Sequence, residues 1–246
     1  MPAKPDTLLA ERSILVVDDE RFTRALVGRL LGYLGAKGVY QAENGADALW
    51  MLEGGRMEFD AVIADLNMPR INGLEMLKAI RSGANGCRRD LPVIMLTGHS
   101  DLELVSRAMA LDINGFIVKP VSQGALASRL ARVFGEEIRT VRPESEYAKV
   151  DVRLGFDEPP PEKSGLPEKA GLPTRPLPVP PEAPDVGMVR IALTDVVPGS
   201  VLAKDVIIPS GLVIVGKGTL LSKRLIQRLK DLADLNIVIE HVWIRE

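Results

Sequence analysis

Between residues 14 and 134, short apolar runs alternate with amphipathic segments five times, and this alternation limits what the chain can fold into. Ile14-Leu15-Val16-Val17, Ala61-Val62-Ile63-Ala64, Val93-Ile94-Met95-Leu96 and Phe116-Ile117-Val118 contain no polar residue. A strand with water on one face alternates polar with apolar, whereas a strand covered on both faces reads as a continuous apolar run. These runs therefore belong to a parallel sheet with helices on each side. A short run from Val39 to Ala42 supplies a further strand.

The intervening segments have helical spacing. Phe22, Leu26, Leu30, Leu31 and Leu34 recur between Arg21 and a Gly35 stop; Asn44-Gly45 opens a helix ending near Glu53; Leu74, Leu77 and Ile80 share a face between Gly73 and Arg81. Two more helices are expected from about Leu102 to Leu111 and from Gln123 to Phe134. Right-handed crossovers then give an α/β, flavodoxin-like, doubly wound five-stranded sheet of order 2-1-3-4-5. In such a sheet, ligands bind outside the carboxyl ends of the strands. Polar residues stand just past four of the runs: Asp18 and Asp19, Asp65, Thr97 and Lys119.

Three carboxylates at one edge are costly to hold ionised without a cation. An oxygen-rich, thiol-free group suits Mg²⁺. A carboxylate such as Asp65 can act as nucleophile on phosphorus, and Lys119 with the Thr97 hydroxyl can neutralise the transferring oxygens.

Ile14-Leu15-Val16-Val17-Asp18-Asp19-Glu20, Asp65-Leu66-Asn67-Met68-Pro69, Met95-Leu96-Thr97-Gly98 and Phe116-Ile117-Val118-Lys119-Pro120 resemble the signature of receiver domains of two-component response regulators, over residues 10 to 138. The resemblance implies that Asp65 accepts a phosphoryl group from a histidine kinase or phosphotransfer protein. It also implies that Asp18, Asp19 and Asp65 hold Mg²⁺, with the Asn67 backbone carbonyl as a further ligand. Thr97 and Lys119 would bind the phosphoryl oxygens, Phe116 would be an aromatic switch, and Lys119-Pro120 would be cis. A degenerate receiver that kept the fold without the reaction is the alternative. Phe116 can also be ordinary core, and His99 either touches the attacking water or is a solvated loop residue.

Past residue 138 the pattern changes. Ten prolines fall between Pro159 and Pro184, so 139 to 185 reads as a Pro-rich linker. Within it, the alternating Tyr147-Ala148-Lys149-Val150-Asp151-Val152 is compatible with a strand. Residues 186 to 246 read as a small, mostly β, α+β module. Strands are expected at Val189 to Leu193, Val201 to Val206, Leu212 to Val215 and Ile237 to Ile244, and a helix at Lys223 to Leu235. So small a core is expected to lean on a partner or on self-association, including a homodimer.

The module resembles the β-rich piece found ahead of HD-GYP cyclic-di-GMP phosphodiesterase domains, carried by Val197 to Val206 and Gly211 to Thr219. With only His99 and His241 in the chain, the metal ligands of that catalytic domain are missing, and His241 reads as structural. No enzymatic output is expected beyond self-phosphorylation and self-dephosphorylation at Asp65. Net charge is -2, and the basic residues Lys223, Arg224, Arg228 and Lys230 read as a solvated helix face. No nucleic-acid or membrane partner is expected. Cys87 stands alone, and Met1 to Arg12 lack an apolar core, which fits a cytoplasmic protein. The sequence thus supports a phosphorylation-controlled response regulator with a non-catalytic interaction module and an unknown output protein. A transcription regulator with an atypical DNA-binding domain, or a phosphate sink, are the alternatives.

Overall fold

The computed structural model describes residues 9–98, 102–135, 142–152, 187–207, 213–235 and 237–245. Most of the expected Pro-rich linker, His99 and Leu212 lie outside the described residues. Five strands, β1 (Ser13–Val17), β2 (Gly38–Ala42), β3 (Ala61–Asp65), β4 (Val93–Thr97) and β5 (Gly115–Val118), form a parallel sheet of order β2-β1-β3-β4-β5. Helices α1 (Arg21–Tyr33), α2 (Gly45–Leu52), α3 (Gly73–Ser82), α4 (Leu102–Ala110) and α5 (Gln123–Gly135) alternate with them.

Side chains alternate across a strand, so each apolar run feeds two cores. Ile14, Val16, Ile63, Ile94, Leu96 and Ile117 pack with Val27 and Leu31 of α1 and Leu126 and Leu130 of α5. Leu15, Val17, Val62, Ala64, Met95 and Phe116 pack on the other face with Leu74 and Leu77 of α3 and Val105 of α4.

Residues 142–152 form a strap across this second face. Instead of the strand suggested by alternation, it contains the short helix α6 (Glu144–Ala148), whose Tyr147 is fully buried. Lys78 of α3 donates to the carbonyls of Ala148 (2.9 Å) and Val150 (2.8 Å), and Asn72 donates to that of Val152 (3.2 Å). These carbonyls are thus held by side chains of α3 and its cap in place of a strand ladder.

The carboxy-terminal module contains β6 (Met188–Ala192), β7 (Val206–Ile207), β8 (Val213–Val215), α7 (Lys223–Asp231), a 3-10 turn (Leu232–Leu235) and β9 (His241–Arg245). Its sheets are two antiparallel pairs, β6-β9 and β7-β8. The strand expected over Val201 to Val206 is reduced to single bridges, Val201 with Leu220 and Leu202 with Ile244, before β7 begins. Turns at Pro198-Gly199 and Ala203-Lys204 leave the chain too short between them for a ladder.

The module rests on the sheet unit. Its buried Leu202, Leu229, Leu232 and Val242 join the core formed by Met109 and Phe116. The 3-10 turn packs on β5 and β8 packs on α4. Arg129 of α5, buried, makes an ion pair with the equally buried Asp231 of α7, and Arg132 Nη1 lies 2.5 Å from the same carboxylate. Gly115 makes room for this pair: a Cβ there would stand 2.5 Å from Arg129 Cδ.

The basic residues of α7 are solvated only in part: Lys223 is exposed as expected, whereas Arg224 and Arg228 turn inward. Arg228 is buried and its Nη1 donates to Asp112 Oδ1 (3.1 Å), while Arg224 donates to the Asp112 carbonyl (3.3 Å). Asp112, in the turn between α4 and β5, adopts a φ of 54° and joins all three parts of the chain. Its Oδ2 accepts from Tyr147 Oη (2.8 Å) and Arg142 Nε (2.8 Å) of the strap, and its carbonyl accepts from Arg81 of α3 (3.0 Å). Burial raises the Asp112 carboxyl, but Arg228 and Arg142 outweigh it and hold it below the usual carboxylate value.

Candidate functional site

The strand register brings the polar residues to one level. Val17 pairs with Ala64, Asp65 with Leu96, and Thr97 with Val118. Asp18 thus follows the end of β1, Asp65 and Thr97 end β3 and β4, and Lys119 follows β5. The Lys119-Pro120 bond is cis, as the resemblance implies.

Lys119 Nζ stands 2.9 Å from Asp65 Oδ1 and 3.0 Å from Asp18 Oδ2, bridging the two acids. Asp18 is fully buried, Asp65 nearly so, and Asp19 is exposed. One carboxylate oxygen from each of Asp18, Asp19 and Asp65 lies within 4.8 Å of the others. Burial raises the Asp65 carboxyl to about 6; Lys119 opposes the rise and Asp18 adds repulsion. Burial lowers the Lys119 ammonium, but its hydrogen bonds to Asp65 and Asp18 dominate and raise it.

One lysine does not balance three acids, and the remaining donor set is entirely oxygen. This is the chemistry of a hard divalent cation such as Mg²⁺. Asn67 lies two residues past Asp65, exposed on the loop leaving β3.

Several groups hold this cleft in shape. The buried Arg24 of α1 donates from Nη1 to the carbonyls of Asp18 (2.7 Å) and Asp19 (3.1 Å), and from Nη2 to Glu43 (2.9 Å). The Glu20 amide donates to Asp18 Oδ1 at 2.8 Å, orienting its carboxylate. Gly73 opens α3 directly behind Asp65: a Cβ there would lie 2.3 Å from the Asp65 carbonyl oxygen. Asn72 and Glu75 close a capping box at the same point, fixing the helix start beneath the loop.

Thr97 is buried, and its hydroxyl donates to the Gly98 carbonyl at 2.9 Å. Phe116 is buried on β5, opposite Met95 of β4. His241 sits in the other half of the chain, on β9, with an exposed side chain. Arg24 escaped sequence reasoning because Arg21, Arg24 and Arg29 of the first helix carry no pattern that marks one as buried.

A family profile described as the response regulator receiver domain matches residues 14–131. The chemotaxis protein CheY-3 of Vibrio cholerae serotype O1 is 38% identical over 121 residues, covering 49% of this chain and 90% of that protein. The chain belongs to the response regulator receiver family. The chemotaxis protein CheY of Pseudomonas aeruginosa is 34% identical over 121 residues, 49% of this chain and 94% of that protein. Among solved structures, the chemotaxis response regulator CheY4 of Vibrio cholerae is 32% identical and covers 50% of this chain and 98% of its own, with a TM-score of 0.44. The receiver is a two-component signalling unit whose acidic pocket fits Mg²⁺ and phosphorylation. The family match ends at residue 131, before the strap and the module. Among the described residues, no helix is long and apolar enough to cross a membrane.

Proposed function

We propose that Asp65 is the phosphoacceptor of a response regulator whose carboxy-terminal module is its non-catalytic output. The observation that carries this reading is the buried Asp65 carboxylate, held 2.9 Å from Lys119 beside Asp18 and Asp19. An Asp65 oxygen attacks the phosphorus of a phosphohistidine on a histidine kinase or phosphotransfer protein; the P–N bond breaks, its electron pair returns to the imidazole, and an acyl phosphate forms. Mg²⁺, held by Asp18, Asp19, Asp65 and the Asn67 carbonyl, would neutralise charge on the incoming phosphoryl oxygens.

Lys119 then exchanges its contact with Asp65 for one with a phosphoryl oxygen. The Thr97 hydroxyl leaves the Gly98 carbonyl to donate to another, and Phe116 turns into the space that Thr97 vacates. Phosphorylation adds about 1.5 to 2 negative charges, a local change able to bias a two-state element.

The module is docked on α4, β5 and α5, and its apolar core includes Phe116. We infer that phosphorylation weakens this docking and frees the module for an output protein or a second copy of itself. Arg224 and Arg228 turn toward the receiver, which supports an interaction module over a DNA-reading helix.

Incubation with acetyl phosphate and Mg²⁺ is expected to give a hydroxylamine-labile phosphoprotein, seen by intact mass. Asp65→Asn is expected to abolish it. Labelling that persists in Asp65→Asn sinks the assignment. Amide exchange in α7 that is unchanged by beryllofluoride and Mg²⁺ sinks the coupling to the module.

A further inference from the structure

The strap meets the module junction at one end and the loop leaving Asp65 at the other, and hydrogen bonds join it to both. At its amino end, Arg142 Nε donates to Asp112 Oδ2 (2.8 Å). Tyr147 Oη accepts from the Arg142 amide (2.9 Å) and donates to the same Asp112 oxygen (2.8 Å). Asp112 Oδ1 accepts from Arg228 of α7 (3.1 Å). Asp112 lies in a turn at φ 54°, so its carboxylate is aimed by these partners rather than by a helix or strand. At the carboxy end, the Val152 carbonyl accepts from Asn72 Nδ2 (3.2 Å), and Lys78 holds the carbonyls between.

Asn72 is where the strap touches the machinery of the cleft. Its Oδ1 accepts from the Glu75 amide (2.9 Å) and its own amide donates to Glu75 Oε2 (2.8 Å), which fixes it to the first turn of α3. The next amide, that of Gly73, donates to the Leu66 carbonyl (3.0 Å). No gap separates this helix start from the acceptor: a Cβ on Gly73 would stand 2.3 Å from the Asp65 carbonyl oxygen and 3.0 Å from Leu66 Cα. The Ile71 carbonyl accepts from the Gly45 amide at the start of α2 (3.0 Å), and a Cβ on Gly45 would stand 2.6 Å from that oxygen. Close-packed groups pass a displacement on rather than absorbing it. A shift of residues 66–72 therefore reaches Asn72, and through it the strap. Neither Thr97 nor Phe116 takes part in any of these bonds.

We propose that the strap is a second switch element, seated or lifted according to the state of Asp65, which sets how firmly Asp112 holds α7. It rests on the reading of the module as the output of Asp65, and it adds a route to that output separate from Thr97 and Phe116. In the seated state Tyr147 and Arg142 occupy Asp112 Oδ2 and leave Oδ1 aimed at Arg228. When phosphorylation shifts the loop beyond Asp65, Val152 and Val150 follow Asn72 and Lys78. Tyr147 then withdraws from Asp112, and the carboxylate turns away from Arg228. Tyr147 and Lys78 are positioning residues: both stand outside the phosphorylation cleft and act through the groups they hold.

The test is amide hydrogen exchange of the full-length chain, read by mass spectrometry with and without beryllofluoride and Mg²⁺. In the wild type, beryllofluoride is expected to speed exchange in α7 by about fivefold or more, and to speed it in the strap as well. Lys78→Met removes the grip on two strap carbonyls, and Tyr147→Phe removes the hydroxyl on Asp112 while keeping the buried ring. Each is expected to shrink the beryllofluoride-induced ratio in α7 by about twofold or more, the effect of cutting a contact that carries coupling. Labelling of Asp65 by acetyl phosphate is expected to be unchanged in both. Lys78→Arg, which can still donate to two carbonyls, is expected to keep the wild-type ratio. A strap with a structural role alone speeds α7 exchange equally in the two states and leaves the ratio as it was, and that result overturns the proposal. So does a strap whose protection ignores beryllofluoride. If α7 of the wild type does not respond, the output reading falls and takes the proposal with it, whereas a wild-type response that survives both variants removes the strap alone.

Discussion

The receiver and the module are built from the same kinds of element and are held together differently. In the receiver, β3 and β4 are buried at every residue, each strand edge but the outer two is paired, and helices cover both faces. In the module, β6 has no buried residue, β9 has one, and Trp243, Ile207 and Val238 are exposed. A two-stranded sheet is marginal alone. What the module lacks internally it finds at the receiver, through the Arg129–Asp231 pair, Asp112 and the shared apolar core. A domain can therefore be stable because of where it sits, and a signal that alters the seat alters the domain.

The sharpest way to break this contrast is Asp231→Ala. It strips Arg129 of its buried partner, and the loss in docking is expected to be about 3–5 kcal/mol, as for other broken buried pairs. Hydrogen exchange should show α7 and β9 losing protection while β1, β3 and β4 keep theirs. If α7 stays protected, the module is self-sufficient and the contrast fails.

A second change works on the other side. Gly73→Ala forces a methyl against the Asp65 carbonyl and is expected to cost the receiver about 1–3 kcal/mol. The thermal midpoint should fall, and the rate of Asp65 phosphorylation should fall with it because the loop under the acceptor shifts. A midpoint equal to wild type would show that the loop behind Asp65 yields freely.

The smallest effect is a pH response. The Asp112 carboxyl is held low in the folded protein, so its contribution is fully present above the unfolded value of about 3.9 and is lost progressively as pH falls from there through the lower folded value. Protection of the strap and of α7 is expected to hold from neutrality to about pH 4.5 and decline below it, and to decline less steeply in Asp112→Asn. Identical acid profiles for the two proteins would remove Asp112 from its joining role.

The sheet order and the residues of the cleft were legible because parallel strands buried on both faces leave unbroken apolar runs, and the chemistry stands at their ends. Asp18, Asp65, Thr97 and Lys119 are each one step from such a run. The junction was not legible. Arg129 and Asp231 are 102 residues apart, and nothing near either marks the other. Arg228 looked solvated because basic residues on an amphipathic helix usually are, and only the docked receiver reverses this. The alternation at Tyr147–Val152 suggested a strand, but Tyr147 is anchored by Asp112 and its neighbours by Lys78, so tertiary contacts decide a segment too short for periodicity to govern. In the module, paired strands are so short that their boundaries follow the bridges of Val201 and Leu202 rather than the apolar pattern.

Lys78 and Asn72 grip the strap through the carbonyl oxygens of Ala148, Val150 and Val152. Every amino acid carries that oxygen, so the grip is indifferent to which side chains the strap bears outward. Changes at those outward positions leave this grip in place, so long as Tyr147, Val150 and Val152 keep their packing against the core. A strap of this kind would be inherited as a shape, invisible to comparisons that count identical letters.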